Sequence, residues 1–157
     1  MIESKLDPSL PPNFCELDEY RFQRMCADLL QRESGISSAV VYGKRGQMQR
    51  GVDVNATRKD GGGIEVGQCK RYTEITANEI SVASDDFFEH LEFWRPKAVK
   101  RFVLFTACEL TDVKLQDQVL KEPARFAAEG IVFEAWGGCC DMAQDVALLT
   151  FTLRGLC

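Results

Sequence analysis

The sequence predicts an α/β protein with a mixed central sheet flanked by helices. Three observations carry that expectation. Apolar residues recur at intervals of three and four over 17–32, 76–94 and 111–130, the period of amphipathic helices. Short segments that alternate or run continuously apolar lie between them, as strands do. A glycine-rich turn joins two early strands, which makes them antiparallel, whereas helices separate the later ones, which makes those parallel.

The elements follow in the order α-β-β-β-α-β-α-β-α. "LDPSLPPN" is rich in proline, so residues 1–16 read as an extended leader. The first helix, about Leu17 to Arg32, turns Phe22, Met25, Cys26, Leu29 and Leu30 to one side, and Gly35 is its expected C-cap. "SSAVVYG" is a short strand. "GVDVNATRK" alternates, with Val52, Val54 and Ala56 on one face and Asp53, Asn55 and Thr57 on the other. "KDGGG" signals a hairpin, and "IEVGQCKRY" is the returning strand. A second helix carries Ile80, Ala83, Phe87, Phe88 and Leu91 at helical spacing and stops at Pro96. "VKRFVLFTAC" is apolar enough to be buried on both faces. The next helix, 111–130, is expected to be interrupted or kinked near Pro123. "IVFEAW" is a strand, "GGCCDMAQDVALL" a last helix and "TFTLRGLC" a possible strand. Residues 17–157 thus form a single domain, and the abrupt ending reads as a cut from a longer protein.

Bulk properties narrow the function classes. A chain of 157 residues fits one domain, and 45% hydrophobic with 27% charged residues is ordinary globular composition. No run of about 18 apolar residues is present, so no membrane partner is expected. Seven cysteines with no CxxC pair and a single histidine, His90, argue against zinc and for reduced thiols in the cytoplasm. The net charge is −5, but it is unevenly spread. From Lys44 to Arg71 seven bases oppose three acids, a local +4 that leaves −9 for the remainder. A basic patch on an acidic body can grip a phosphate backbone, but charge alone favours a solvated hairpin that happens to be rich in Lys and Arg.

The polar residues of the third strand are the most informative. Period two places Ile64, Val66, Gln68 and Lys70 on one face. A hairpin centred on "DGGG" brings Asp53 beside Gln68 and Lys70, so that a carboxylate, an amide oxygen and an ammonium converge. Asp53 and Gln68 are hard oxygen ligands suited to Mg²⁺, with the backbone carbonyl of Cys69 as a further ligand and Mn²⁺ as a substitute. Such a set is suited to metal-assisted phosphodiester hydrolysis, with Lys70 beside the water or the phosphate. An ordinary surface ion pair is the competing reading. Glu65 falls on the opposite strand face and reads as structural or solvent-facing. Lys44, Arg45, Gln47, Gln49, Arg50 and Arg71 are the candidate DNA-binding residues, around a glycine-rich loop without a P-loop ending. His90 reads as solvated, and Trp94 and Trp136 as packing residues.

"GQMQRGVDVNA…IEVGQCKRY", after the helix "FQRMCADLLQRESG", resembles the restriction endonuclease-like PD-(D/E)xK superfamily, and within it the Mrr-like branch, whose motif runs Asp…Gln-x-Lys. The resemblance covers about Leu17 to Cys108. It implies a restriction endonuclease-like α-β-β-β-α-β core, Asp53, Gln68 and Lys70 as catalytic residues, and a Mg²⁺-dependent endonuclease acting on double-stranded DNA. It also implies an effector of a restriction or anti-phage defence protein, assembled as a homo-oligomer through further domains. The family places a glutamate on the first helix where this chain has Gln23; Glu19, one turn earlier, is the alternative metal ligand beside Gln23 itself. A degenerate nuclease fold used for DNA binding or assembly is the rival expectation, motivated by amides at both Gln68 and Gln23. A resolvase or a single-strand or RNA nuclease is a third.

Overall fold

The computed structural model describes residues 17–138. The expected leader, the last helix and the last strand lie outside the described residues, as do Cys15, Cys139, Cys140 and Cys157. The protein is α/β, a five-stranded mixed sheet with helices on both faces. Helix α1 spans Glu19–Gln31, strands β1 to β3 span Ile36–Val41, Val54–Arg58 and Ile64–Lys70, and α2 spans Ala77–Glu89. After a short helix α3 (Leu91–Trp94) and a 3-10 turn, β4 runs Val99–Thr106, α4 Val113–Ala127 and β5 Val132–Trp136. The strands lie side by side in chain order: β1–β2–β3 are antiparallel and β3–β4–β5 parallel. No helix among the described residues is long and apolar enough to cross a membrane.

Local chemistry explains where the elements start and stop. Asp18 accepts the Arg21 amide to cap α1, and Asp112 does the same for Lys114 at α4. Thr76 and Glu79 form a reciprocal capping box at α2. α1 ends at Gln31 with Arg32 as its cap rather than at Gly35, whose carbonyl instead accepts the Lys59 amide. The second helical segment is split: His90 caps α2 and precedes α3, so the Thr76–Trp94 region is two helices. α4 runs through Pro123 as one helix, without the expected interruption. Proline there removes one amide donor, and the burial of Leu115, Val119 and Phe126 on either side of it holds the helix together.

The hairpin forms as its glycines require. Asp60 accepts the Gly62 amide at 2.8 Å and pairs with Arg58, which holds its carboxyl down at about 2. Gly63 has φ +122°, and a Cβ there would lie 2.0 Å from the Ala98 carbonyl oxygen, so glycine is required where β4 closes against the turn.

Two apolar cores sandwich the sheet. Phe22, Cys26, Leu29 and Leu30 of α1 meet Val54, Ala56, Val103 and Phe105 on one face. Ile80, Phe87 and Phe126 of α2 and α4 meet Val66, Phe102, Leu104 and Phe133 on the other. β4 is buried on both faces, as its composition predicts. Trp94 and Trp136 are both buried and pack on Tyr42 and Phe105. Each indole N–H finds an acceptor, the Arg50 carbonyl for Trp94 and the Glu134 carboxylate for Trp136.

Candidate active site

β2 is antiparallel to β3, so its first residue lies at the same sheet edge as the C-terminal ends of β3 and β4. Open α/β sheets place ligand sites at that edge. Gly51 starts the approach. Its φ is +73°, and a Cβ would come within 2.7 Å of the Asp86 carbonyl and the Phe87 amide nitrogen, so the chain runs directly against the α2 backbone. Val52 then packs into the α2/α4 core, whereas Val54 and Ala56 pack into the α1 core. The strict alternation expected over Val52, Val54 and Ala56 therefore breaks at Asp53. The close approach of Gly51 to α2 pulls Val52 to that side before the regular strand begins.

Asp53 sits at this break and continues the ladder with its side chain. Its amide donates to the Gly67 carbonyl at 2.8 Å, and its carbonyl accepts the Tyr42 amide at 2.7 Å. Oδ2 accepts the Cys69 amide at 2.7 Å, and Oδ1 accepts Nε2 of Gln23 at 3.4 Å. Burial raises the Asp53 pKa above the ordinary 3.8; the Cys69 amide and the Lys70 charge pull the other way, and the Glu19 charge adds to the rise.

Gln68 is 5% exposed, and its Oε1 accepts no hydrogen bond among the described residues. A buried amide oxygen without a donor costs free energy that folding does not recover. Lys70 is half-buried, with Nζ 6.0 Å from the Tyr72 ring centroid. It enters no ion pair within 4.0 Å among the described residues. The triad Asp53, Gln68 and Lys70 thus shares one sheet edge. No protein-family model matches this chain, and no curated protein or solved structure matches it.

Cys69 meets Asp53 through its amide. Burial first, and then the neighbouring Cys26 thiol, push its pKa well up, so it packs as a neutral thiol. Of the two α1 candidates, Gln23 touches Asp53 and is buried, whereas exposed Glu19 acts on Asp53 only through its charge. No three His, Cys, Asp or Glu side chains gather into a cation site among the described residues. The donor set here is instead one carboxylate and one amide oxygen. The orphaned Gln68 Oε1 has the chemistry of a hard-cation donor, and such a cation would supply the electrostatic partner that this atom lacks.

The basic loop divides into two kinds of residue. Lys44 and Arg45 are exposed. Gln47 accepts the Lys44 amide at 2.8 Å and Gln49 donates to the Tyr42 carbonyl at 2.8 Å, so both build the loop itself. Arg50, at φ +54°, lies 4.0 Å over the Phe93 ring and donates to the Tyr42 hydroxyl, folded back on the body. Arg71 is exposed and donates to the Leu17 carbonyl at 2.8 Å.

Glu65 is 7% exposed, so it is structural and not solvent-facing. It pairs with Arg101 at 2.6 Å and with Arg58 at 3.3 Å. Arg101 also pairs with Glu33 and Glu134. Burial alone would lower the Arg101 pKa, but the three carboxylates outweigh it and the net shift is upward. A cleft of about 270 Å³ opens beside this cluster, away from Asp53. The cluster has a sequence signal: single charges, Glu65, Arg101 and Glu134, inside otherwise apolar strands.

Proposed function

We propose that this chain is a Mg²⁺-dependent endonuclease domain that hydrolyses phosphodiester bonds in DNA. On this reading its fold is restriction endonuclease-like, of the Mrr-like branch, and it is the effector of a larger restriction or defence protein that acts on double-stranded DNA as a homo-oligomer. The observation that supports it most directly is the placement of Asp53, the unpartnered Gln68 oxygen and Lys70 at the same end of the paired strands β2 and β3, with the Lys70 charge acting on Asp53. The element order α-β-β-β-α-β agrees with the resemblance of "GVDV…QCK" to that family.

Asp53 and Gln68 would hold the cation, with the Cys69 carbonyl as a third donor. When bound, Mg²⁺ supplies Lewis-acid polarisation of the phosphate and an acidified water. The Cys69 amide fixes one oxygen of Asp53, which keeps the carboxylate in a single orientation. Lys70 brings a positive charge beside the phosphate, where negative charge builds during hydrolysis. Lys44 and Arg45 hold the strand by its backbone.

The test is plasmid cleavage with Mg²⁺ by this chain within its full-length protein, compared with Asp53→Ala and Lys70→Ala. Cutting that persists in both variants rejects the proposal. A second reading, a degenerate nuclease fold that binds or assembles without cutting, is favoured by one observation: both Asp53 oxygens already accept hydrogen bonds, one from the Gln23 amide. Calorimetry with Mg²⁺ or Mn²⁺ in the presence of DNA separates the two, because the degenerate fold takes up no metal.

A further inference from the structure

Strand β1 is one edge of the sheet among the described residues. Its even-numbered residues turn their backbone groups toward β2. Ser38 and Val40 lie opposite Thr57 and Asn55, and the Tyr42 amide, next in that series, donates to the Asp53 carbonyl. The odd-numbered residues Ser37, Ala39 and Val41 therefore turn theirs outward. The side chain of Gln31, the last residue of α1, meets two of those outward groups. Its Oε1 accepts the Ala39 amide at 2.6 Å, and its Nε2 donates to the Ser37 carbonyl at 3.1 Å. A side-chain amide carries the same kinds of acceptor and donor as a peptide group. Gln31 thus engages β1 at two points, as a residue of a neighbouring strand would.

An edge strand offers its outward groups as a template for another strand, and proteins blunt such edges with charges, prolines or bulges. β1 reads "ISSAVV", with no charge and no proline, and its one irregularity of pairing falls at its start, between Ile36 and Ser38. Val40 adds an apolar side chain that is 54% exposed. β5, at the opposite edge, carries Glu134 in its middle. β1 is also complementary to itself. A two-fold axis at Ala39 sets Ser37 opposite Val41 and each Ala39 amide opposite the other's carbonyl. We infer that Gln31 is the guard of this edge, and that the strand it holds off is β1 of a second copy of this chain. With the guard in place, the Ala39 amide and the Ser37 carbonyl are already taken, and a second copy has to displace both bonds before it can pair. Without it, two five-stranded sheets can join edge to edge. The inference is independent of the nuclease reading, because Gln31 takes no part in the site around Asp53.

Sedimentation velocity of the whole chain over a wide range of concentration tests this. Wild type is compared with Gln31→Ala, which removes the amide, adds no apolar bulk and keeps a strong helix former at the end of α1. The same substitution is then combined with Ala39→Pro. Proline at that position deletes an amide that points away from β2, so it removes the outward donor and spares the β1–β2 ladder. The expected result is that Gln31→Ala self-associates at about tenfold lower concentration than wild type, and that the double variant returns to wild-type behaviour. Val40→Lys sets like charges across the seam and should reverse the association in the same way, which keeps the test sound where the proline variant melts early in circular dichroism. Hydrogen exchange supplies a second readout. The Ala39 amide should exchange faster in dilute Gln31→Ala than in wild type, and should become protected again as the concentration rises. Equal association of wild type and Gln31→Ala overturns the inference, as does association that survives both Ala39→Pro and Val40→Lys. Faster exchange at Ala39 without association also overturns it, because Gln31 is then only a local cap on β1. Plasmid cutting enters none of these outcomes, so the nuclease reading stands or falls separately.

Discussion

Glu65 and Gln68 are buried polar residues three positions apart on β3, 7% and 5% exposed, yet their surroundings differ in kind. The Glu65 carboxylate is met by two arginines, and Arg101 is in turn met by three carboxylates. Every charge there has an opposite charge within hydrogen-bonding distance. At the other end of the strand the Gln68 oxygen has no donor, and Asp53 is desolvated beyond what its neighbours compensate. A polar cluster that only holds a fold is satisfied from within. One that is left short of partners is shaped for something that arrives from outside, and burial alone does not tell the two apart.

Arg101→Ala is expected to give the largest effect and to test the first half of that contrast. It removes the cation that Glu33, Glu65 and Glu134 share, leaving Glu65 to Arg58 and Glu134 to the Trp136 indole, and a loss of about 3–5 kcal/mol should appear in urea melts. A small loss would mean that the network is no more than a surface feature. At the other end, Asp53→Ala should lower DNA cleavage by about a hundredfold or more while the melting temperature changes little. A large loss of stability there would remove the asymmetry between the two ends.

Asp53→Asn sharpens the contrast further. Burial raises the folded-state pKa of Asp53 above 3.8, so the folded protein disfavours its ionised form. The cost is absent at low pH, where the group is protonated in both states. It grows as pH rises past the unfolded value and is complete above the folded one. Asparagine can still accept the Cys69 amide, so the variant should be more stable than wild type by about 0.5–1 kcal/mol near neutral pH. Melts across pH should show that gain vanish below the ordinary carboxylate range; a gain independent of pH would refute the desolvation argument. The smallest effect belongs to neither end. Arg21 and Asp18 pair on the surface with side chains 75% and 60% exposed, and Arg21→Ala should cost less than about 0.5 kcal/mol, diminishing with added salt.

Much of this architecture was legible in the chain because period and punctuation are local properties. The helices, the five strands, the "DGGG" turn and the buried β4 follow from spacing, glycine and apolar runs. The misreadings were also local. A helix that keeps its apolar face can run through Pro123, and another can break at His90 without losing its stripe. Of the candidate site, Asp53, Gln68 and Lys70 could be brought together on paper because hairpin register is arithmetic.

What the sequence by itself determined is therefore the alternation of elements and the pairing that carries three polar residues to one edge. Only the tertiary structure decided that Gln23 rather than Glu19 touches Asp53, and that Gln47, Gln49 and Arg50 are spent on the loop's own bonds. It also decided that Glu65 closes an ion network while Gln68 is left without a donor. The reason is physical: whether a polar group is satisfied depends on atoms distant in the chain, such as Arg101 for Glu65, and those meet only when two helical layers close on the sheet.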